Sequence, residues 1–352
     1  MSLKKILSLK KYPFIQQING SNVLTPLSQQ IKQNIAIEWI KNISRLPSVE
    51  IFVTPFNSYT EPIVNTHTNS LKAILDNYSK HYRVWSEGST QSIGVIQQFV
   101  CCNDNHLNSF INTNTNVCLG FALFCQKHES LYWFQKLQGN QYQWFRNLSK
   151  FPLKSKFCCE LQESDSKWVL NYKTQDMNLQ LLSMKYFSNS SVETTLGLTD
   201  CHVISCNVYL DNTLLSIISD SYTDKVYKTG KPKKKMKFDT SLAPFKVGFT
   251  FRDSVKQNGI LKDLAEYLIE SLKLFNISIL PFTPNKLISI ESCDELGIPY
   301  TVILDDESIE KGVVGLRNRD TDTEESVHIS RFQQTLCLYL NVIHPSSIRN
   351  KY

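Results

Sequence analysis

Gly297-Ile298-Pro299-Tyr300-Thr301-Val302-Ile303-Leu304-Asp305-Asp306 opens the stretch that decides the fold. Gly315-Leu316-Arg317-Asn318-Arg319-Asp320-Thr321 and His328-Ile329-Ser330-Arg331 close it. Two apolar, β-branched runs, Tyr300–Leu304 and Val313–Leu316, flank a polar turn at 305–312 and read as strands. Working outward, Leu242–Phe251 predicts a preceding strand and Ile277–Pro281 a second one. Between them Leu261, Leu264, Leu268, Leu272 and Phe275 form the inner stripe of a helix. A last helix carries Ile329, Phe332, Leu336, Leu340 and Ile343, with His328 at its start as a capping or surface residue. This alternation predicts an α/β domain over 241–352 with a mixed, mostly parallel sheet.

Upstream, Ile31, Ile35, Trp39 and Ile43 recur every fourth residue and predict a helix over 28–43. A strand is expected over 50–56 and a short helix over 68–82. Val117–Cys125 reads as a buried strand, and Trp133, Phe134, Leu137, Trp144, Phe145 and Leu148 mark a helix. From 161 to 207 strand-like runs alternate with polar turns, and Leu214–Ser221 continues the apolar pattern. Lys225, Lys228, Lys231, Lys233, Lys234, Lys235 and Lys237, interrupted by Gly230 and Pro232, predict a basic linker at 225–240 between domains 21–224 and 241–352.

The 352 residues suffice for two cores, and the formal charge is +6. That charge is uneven. Residues 1–240 hold 26 Lys+Arg against 17 Asp+Glu, whereas residues 241–352 hold 12 against 15. The first part is therefore the expected partner of a polyanion, with Lys231, Lys233, Lys234, Lys235 and Lys237 as candidate contacts to DNA or a partner protein. Pro232–Lys237 also fits a nuclear import signal. Lys4, Lys5, Lys10, Lys11 and Lys32 precede the first acid, Glu38, so residues 1–20 have the basic character of a mitochondrial presequence. Ten cysteines without a two-residue metal-clamp spacing read as buried free thiols, and no apolar run reaches membrane-spanning length. No cofactor, metal or membrane partner is expected; Asp305 and Asp306 lie in a turn where acids are usual.

The Gly297–Tyr300 and Arg319-Asp320-Thr321 segments resemble the C-terminal anticodon-binding domain of class II aminoacyl-tRNA synthetases. Leu242-Ala243-Pro244-Phe245-Lys246-Val247, Gly315–Thr321 and His328–Arg331 are more similar to the accessory subunits of mitochondrial DNA polymerase gamma, a synthetase-derived family. Trp133–Lys136, Gln143–Arg146, Ser149–Pro152 and Asn34–Trp39 resemble that family's upstream segments, and Val203–Tyr222 resembles its strand pair before the linker. The resemblance implies a degenerate synthetase-like antiparallel-sheet domain followed by an anticodon-binding-like α/β domain, α+β / α/β overall. It implies a non-catalytic processivity subunit in the mitochondrial matrix nucleoid. The implied partners are the polymerase catalytic subunit and double-stranded or primer-template DNA. The alternatives are a synthetase or a tRNA-binding paralogue, for which Arg317, Arg319 and Lys286 are the candidate contacts. Between Phe56 and Arg83 there is no room for the family's long dimerisation hairpin, so a monomer within a heterodimer is expected.

Synthetases of this class hold ATP phosphates with arginines, because a planar, permanently charged fork binds phosphate oxygens bidentately. Before residue 240 this chain has only Arg45, Arg83 and Arg146. Arg146 follows Phe145, but Asn147-Leu148 stands where the synthetase motif has its Glu, and no Gly-x-Gly-x-x-Arg segment occurs. Phosphate-loop, nucleophile-elbow and His-Glu-x-x-His motifs are also missing from the sequence.

Overall fold

A computed structural model describes residues 13–53, 92–102, 115–150, 156–162, 167–174, 177–188, 201–226, 232–252, 259–282 and 288–342. The chain divides into two compact units between Asp220 and Ser221.

The first unit opens with a hairpin, β1 (Ile15–Ile18) and β2 (Ser21–Leu24). Asn19 and Gly20 both take positive φ at its tip, the geometry that lets a two-residue turn follow the strand twist. Phe14 is fully buried, and its carbonyl accepts bonds from the Thr25 and Ser28 hydroxyls. The packed chain therefore begins by Phe14, inside the range 1–20 expected as a presequence; residues 1–12 lie outside the described residues. Helix α1 (Pro26–Ile43) starts with Pro at its first position and buries Ile31, Ile35, Trp39 and Ile43.

The unit is built on a seven-stranded sheet of β3 (Val49–Val53), β4 (Ser92–Cys102), β5 (Thr115–Gln126), β6 (Phe157–Gln162), β7 (Lys167–Lys173), β8 (Asn178–Phe187) and β9 (Cys201–Tyr209). The strand order is β3-β4-β5-β9-β8-β7-β6. Only the β3–β4 edge pair is parallel. Helix α2 (Ser130–Leu148) buries Trp133, Leu137, Gln141, Trp144, Phe145 and Leu148. Its wholly buried Gln141 accepts from the Trp39 indole at 2.8 Å, giving the polar edge of a core tryptophan its partner. Helix α3 (Leu210–Ser221) follows β9 directly, so 203–222 is a strand and a helix rather than a strand pair. Its residues are buried almost throughout, the polar Asp211, Asn212, Thr213, Ser216 and Ser219 included.

The second unit begins with a hairpin of β10 (Tyr222–Val226) and β11 (Pro232–Met236), which replaces the expected linker. Its main sheet has the order β12-β13-β14-β15, from β12 (Val247–Phe251), β13 (Tyr300–Leu304), β14 (Val313–Asn318) and β15 (Glu324–His328). The β12–β13 pair is parallel, with a single parallel bridge from Val247 to Ile279 where a second strand was expected. The other two pairs are antiparallel, so the sheet is mixed and not mostly parallel. Connection length explains this. Helices α4 (Gly259–Lys273) and α5 (Ile290–Leu296) fill the crossover from β12 to β13. The β13–β14 link at 305–312, holding only the short helix α6 (Asp306–Glu310), is below the dozen or so residues a parallel return needs. Helix α7 (Ile329–Tyr339) closes the unit with His328 as its N-cap, its ring nitrogen accepting from the Ser330 N–H. The core joins Val247, Phe249, Leu261, Leu268, Leu272, Val302, Leu304, Val314, Leu316, Phe332 and Leu336.

The expected helix at 68–82 and the segment between Phe56 and Arg83 lie outside the described residues. Among the described residues no helix is long and apolar enough to cross a membrane.

Candidate nucleic-acid interface

The residues singled out as nucleic-acid contacts divide into a buried set and a surface set. Strand β14 carries Arg317 inward, where it grips Asp294 of α5 through two parallel bonds, Nη1–Oδ1 at 2.9 Å and Nη2–Oδ2 at 3.1 Å. Asp294 is fully buried, and Lys235 of β11 approaches the same carboxylate at 3.5 Å. Asp322, in the turn after β14, pairs with both Lys235 and Arg317. Two cations and two carboxylates thus close a neutral cluster. Burial alone opposes the charge on Arg317, and the bonds and field of Asp294 and Asp322 more than offset that, raising its pKa.

Arg319 has no exposed surface. Its guanidinium donates to the carbonyls of Gly297 at 2.6 Å and Phe238 at 2.8 Å, and to Asp320 at 2.9 Å. The Arg-Asn-Arg-Asp run therefore fastens β14 to the α5–β13 turn and to the chain leaving β11. That turn is tight. Gly297 sits at φ +74° as the left-handed cap of α5, and a Cβ there would meet Phe238 Cδ2 at 2.4 Å. Asn318 Oδ1 accepts from the Asp320 N–H at 2.8 Å, which shapes the loop to β15.

Arg317, Arg319 and Lys235 are consequently corrected from surface contacts to internal ties, because each already has its donors committed inside the unit. Lys234 is half-buried, opposite Asp224 in the hairpin register, and Lys237 is half-buried with Nζ 3.5 Å from the Asp320 carbonyl. The side chain of Lys233 and the whole of Lys231 and Lys286 lie outside the described residues. The backbone nonetheless sets Lys233 directly across from Lys225, two like charges at one register position.

The sequence reading missed Asp294 and Asp322. An acid three residues after Arg319 was a visible hint for Asp322; Asp294, on a separate helix, had no local signal. Asp305 is explained by structure: it caps α6 in a reciprocal capping box with Ser308 and receives Arg252 Nε at 3.0 Å. Arg252 also reaches Glu324, tying β12 to β15.

In the first unit, Arg146 lies in the last turn of α2 with its guanidinium 5.7 Å from the Tyr142 ring, and Arg45 is exposed in the turn after α1. Neither is on a strand of the sheet. Burial dominates at Cys125, where desolvation, with Cys201 and Glu129, pushes the thiol up to about 12. His202, whose ring meets the Tyr186 hydroxyl, is lowered by burial and by Lys127. The eight cysteines whose side chains are described are free thiols, six of them buried.

The family described as Anticodon binding domain matches residues 256–336, which run from the start of α4 into α7. The match lies wholly within the second unit. The chain is similar to the DNA polymerase subunit gamma-2 of Bos taurus, 29% identical over 150 residues, covering 40% of this chain and 30% of the relative. It is also similar to the mitochondrial DNA polymerase subunit gamma-2 of Drosophila melanogaster, 23% identical over 229 residues, covering 58% and 62%. Glycine–tRNA ligase of Chlorobaculum tepidum is 23% identical over 158 residues, covering 45% and 32%. The matched part thus spans about a third of the bovine and bacterial relatives. The overall resemblance is to a synthetase-like polymerase accessory subunit, on an α+β frame.

Proposed function

We propose that this protein is a non-catalytic accessory subunit of the mitochondrial replicative DNA polymerase. It binds the catalytic subunit and strengthens its hold on primer-template DNA. The observation that carries this reading is the joint similarity to polymerase gamma-2 subunits and to a tRNA ligase, in a chain whose first unit is poor in arginine. An adenylating enzyme needs cationic forks aimed at ATP phosphates. Of its three candidates, Arg45 and Arg146 sit at helix ends, and Arg83 lies outside the described residues. The mitochondrial name of the Drosophila relative and the lysine-rich first residues support a place in the mitochondrial matrix.

Primer extension tests the reading. The catalytic subunit of the same organism, alone and with this protein, is followed on a long singly primed template. Longer products per binding event support the proposal, and identical product lengths refute it. ATP–pyrophosphate exchange with each of the twenty amino acids and total tRNA stays at background; exchange with any of them would restore the synthetase reading.

A further inference from the structure

Helix α2 turns a face without a single acid to solvent. None of its 19 residues is Asp or Glu, and only its other side is held in the core. On the outer side Tyr132 is 56% exposed. Lys136 lies over the Tyr132 ring, with Nζ 4.9 Å from the centroid, and donates to the Tyr132 hydroxyl at 2.7 Å. The motif recurs farther along the helix, where the Arg146 guanidinium stands 5.7 Å from the Tyr142 ring. Tyr142 and Arg146 are partly exposed. At 100° per residue, these two aromatic–cation pairs fall within an arc of about 120° and span about 21 Å of helix. Gln135 and Gln143 are exposed on the same arc.

Acids on the adjoining elements are already engaged. Glu129, which precedes the helix, accepts from the Ser92 hydroxyl at 3.2 Å. Glu38 of α1, the helix joined to α2 through Trp39 and Gln141, pairs with Lys41 at 2.8 Å. Asp220 accepts from the hydroxyl of Ser149, the residue after the helix. Lys127 adds an exposed cation at the N-terminal end. Gly139 lies at the middle of the arc. Glycine weakens a helix interior, yet a Cβ here would meet nothing within 4 Å, so no packing inside the chain requires it. What it offers is bare backbone between the two pairs. Two requirements on an occupant follow: negative charge along its length, and flat groups free to lie against the rings.

We infer that this face of α2 binds single-stranded DNA, with bases stacked on Tyr132 and Tyr142 and phosphates against Lys136 and Arg146. Every base has a π-face, so the rings hold a strand without reading its sequence. The amides of Gln135 and Gln143 meet base edges, and Gly139 lets the strand approach the helix backbone. A duplex keeps its base faces inside the stack, and an acidic protein segment leaves the rings unused. The pairing of rings with cations therefore selects an unpaired strand. The choice of DNA over RNA rests on the accessory-subunit reading, in which the template is single-stranded beyond the primer end. The lysine hairpin, by contrast, offers charge alone.

The test is fluorescence anisotropy of a labelled oligothymidylate titrated with the full-length protein across a salt series. The wild type binds it. Tyr132→Ala combined with Tyr142→Ala weakens binding by at least about fivefold per ring and leaves the salt slope unchanged. Tyr132→Phe combined with Tyr142→Phe binds as the wild type does, because stacking needs the ring and not the hydroxyl. Lys136→Gln combined with Arg146→Gln flattens the fall of log affinity with log salt by up to about 1.4, at about 0.7 per contact on a single strand. Gly139→Glu separates binding from folding. It sets an acid among the phosphates and a better helix former in the helix, so binding weakens while the thermal midpoint rises. If the wild type does not bind, or the Tyr→Ala variant binds as well as the wild type, the inference falls; the accessory reading is decided separately by primer extension. Duplex DNA bound as tightly as the single strand, oligouridylate bound in preference to oligothymidylate, or polyglutamate competing equally well would each overturn it, assigning the face to any polyanion, to RNA or to an acidic protein. A bound strand without any effect on primer extension would sink the accessory reading and leave the single-strand site standing.

Discussion

Asp294→Asn keeps the shape of a wholly buried side chain while removing its charge. In the wild type that carboxylate accepts two bonds from Arg317 and faces Lys235 at 3.5 Å. The amide leaves one acceptor and turns a donor toward a cation. Asp322, partly exposed, is left to balance two buried positive charges. Breaking one partner out of a buried ionic group typically costs about 3–5 kcal/mol. For a unit of this size that lowers the melting temperature by roughly 10–20 °C. The assay is urea unfolding followed by peptide-resolved hydrogen exchange, so that β13, β14 and α5 are read separately from the first unit. A triple replacement, Lys235→Met with Asp294→Leu and Arg317→Met, removes the charges together. It recovers most of the loss, because desolvation no longer has to be offset. A cost for Asp294→Asn below about 1 kcal/mol would show that water already screens the cluster. A triple variant no better than the single would show that shape, and not charge, holds the site.

Gly297→Ala forces a Cβ onto the Phe238 ring at a left-handed φ, and stability falls by roughly 2–4 kcal/mol in urea titration; an unchanged midpoint would mean that the α5 cap relaxes freely. Replacing Lys231, Lys233, Lys234 and Lys237 with Ala leaves the fold intact and flattens the log-affinity against log-salt slope for duplex DNA by up to about 3.6, at 0.9 per phosphate contact. The same slope as the wild type would make the hairpin edge a solvated surface. Burial raises the Asp220 carboxyl above 3.8 against the pull of its Ser149 bond, so the folded state disfavours its charge. That penalty is absent below 3.8 and complete above the raised folded value. Asp220→Asn is therefore the more stable protein at pH 7, and its advantage shrinks as pH falls through that window. An advantage constant with pH would place its origin elsewhere. The free protein is expected to be monomeric by light scattering, given the short interval from Phe56 to Arg83; a stable micromolar dimer would contradict it.

The amphipathic helices were legible because one face of each is polar: Ile31, Ile35, Trp39 and Ile43 announce α1 as plainly as Leu261, Leu268 and Leu272 announce α4. Helix α3 was missed although Leu210, Leu214, Leu215, Ile217 and Ile218 recur at helical spacing, because it continues the apolar run of β9 with no turn between them. The lysine-rich hairpin hid for a different reason. Lysine reads as solvated, and Gly230 and Pro232 read as breaks. In the fold, the wholly buried Met236 and the ion-paired Lys235 override that local preference. The same bias put Arg317 and Arg319 on the surface. A charged residue is taken as exposed until its counter-charge is found, and Asp294 lies 23 positions away from Arg317.

The hairpin's buried lysine also determines where the chain can be cut. A fragment starting after the lysine run, at 241, would look like a complete anticodon-binding domain, since the matched family begins only at 256. It would lack β11, and with it the cation that faces Asp294 and Asp322. It would also lack Phe238, whose carbonyl receives Arg319 and whose ring lies against Gly297. Such a fragment would carry an acid excess inside its core and an opened seam beside α5. A fragment beginning at Ser221 would keep the hairpin, the aromatic plug and the charge balance together, and is the shortest piece from which the isolated second unit is expected to be recovered folded.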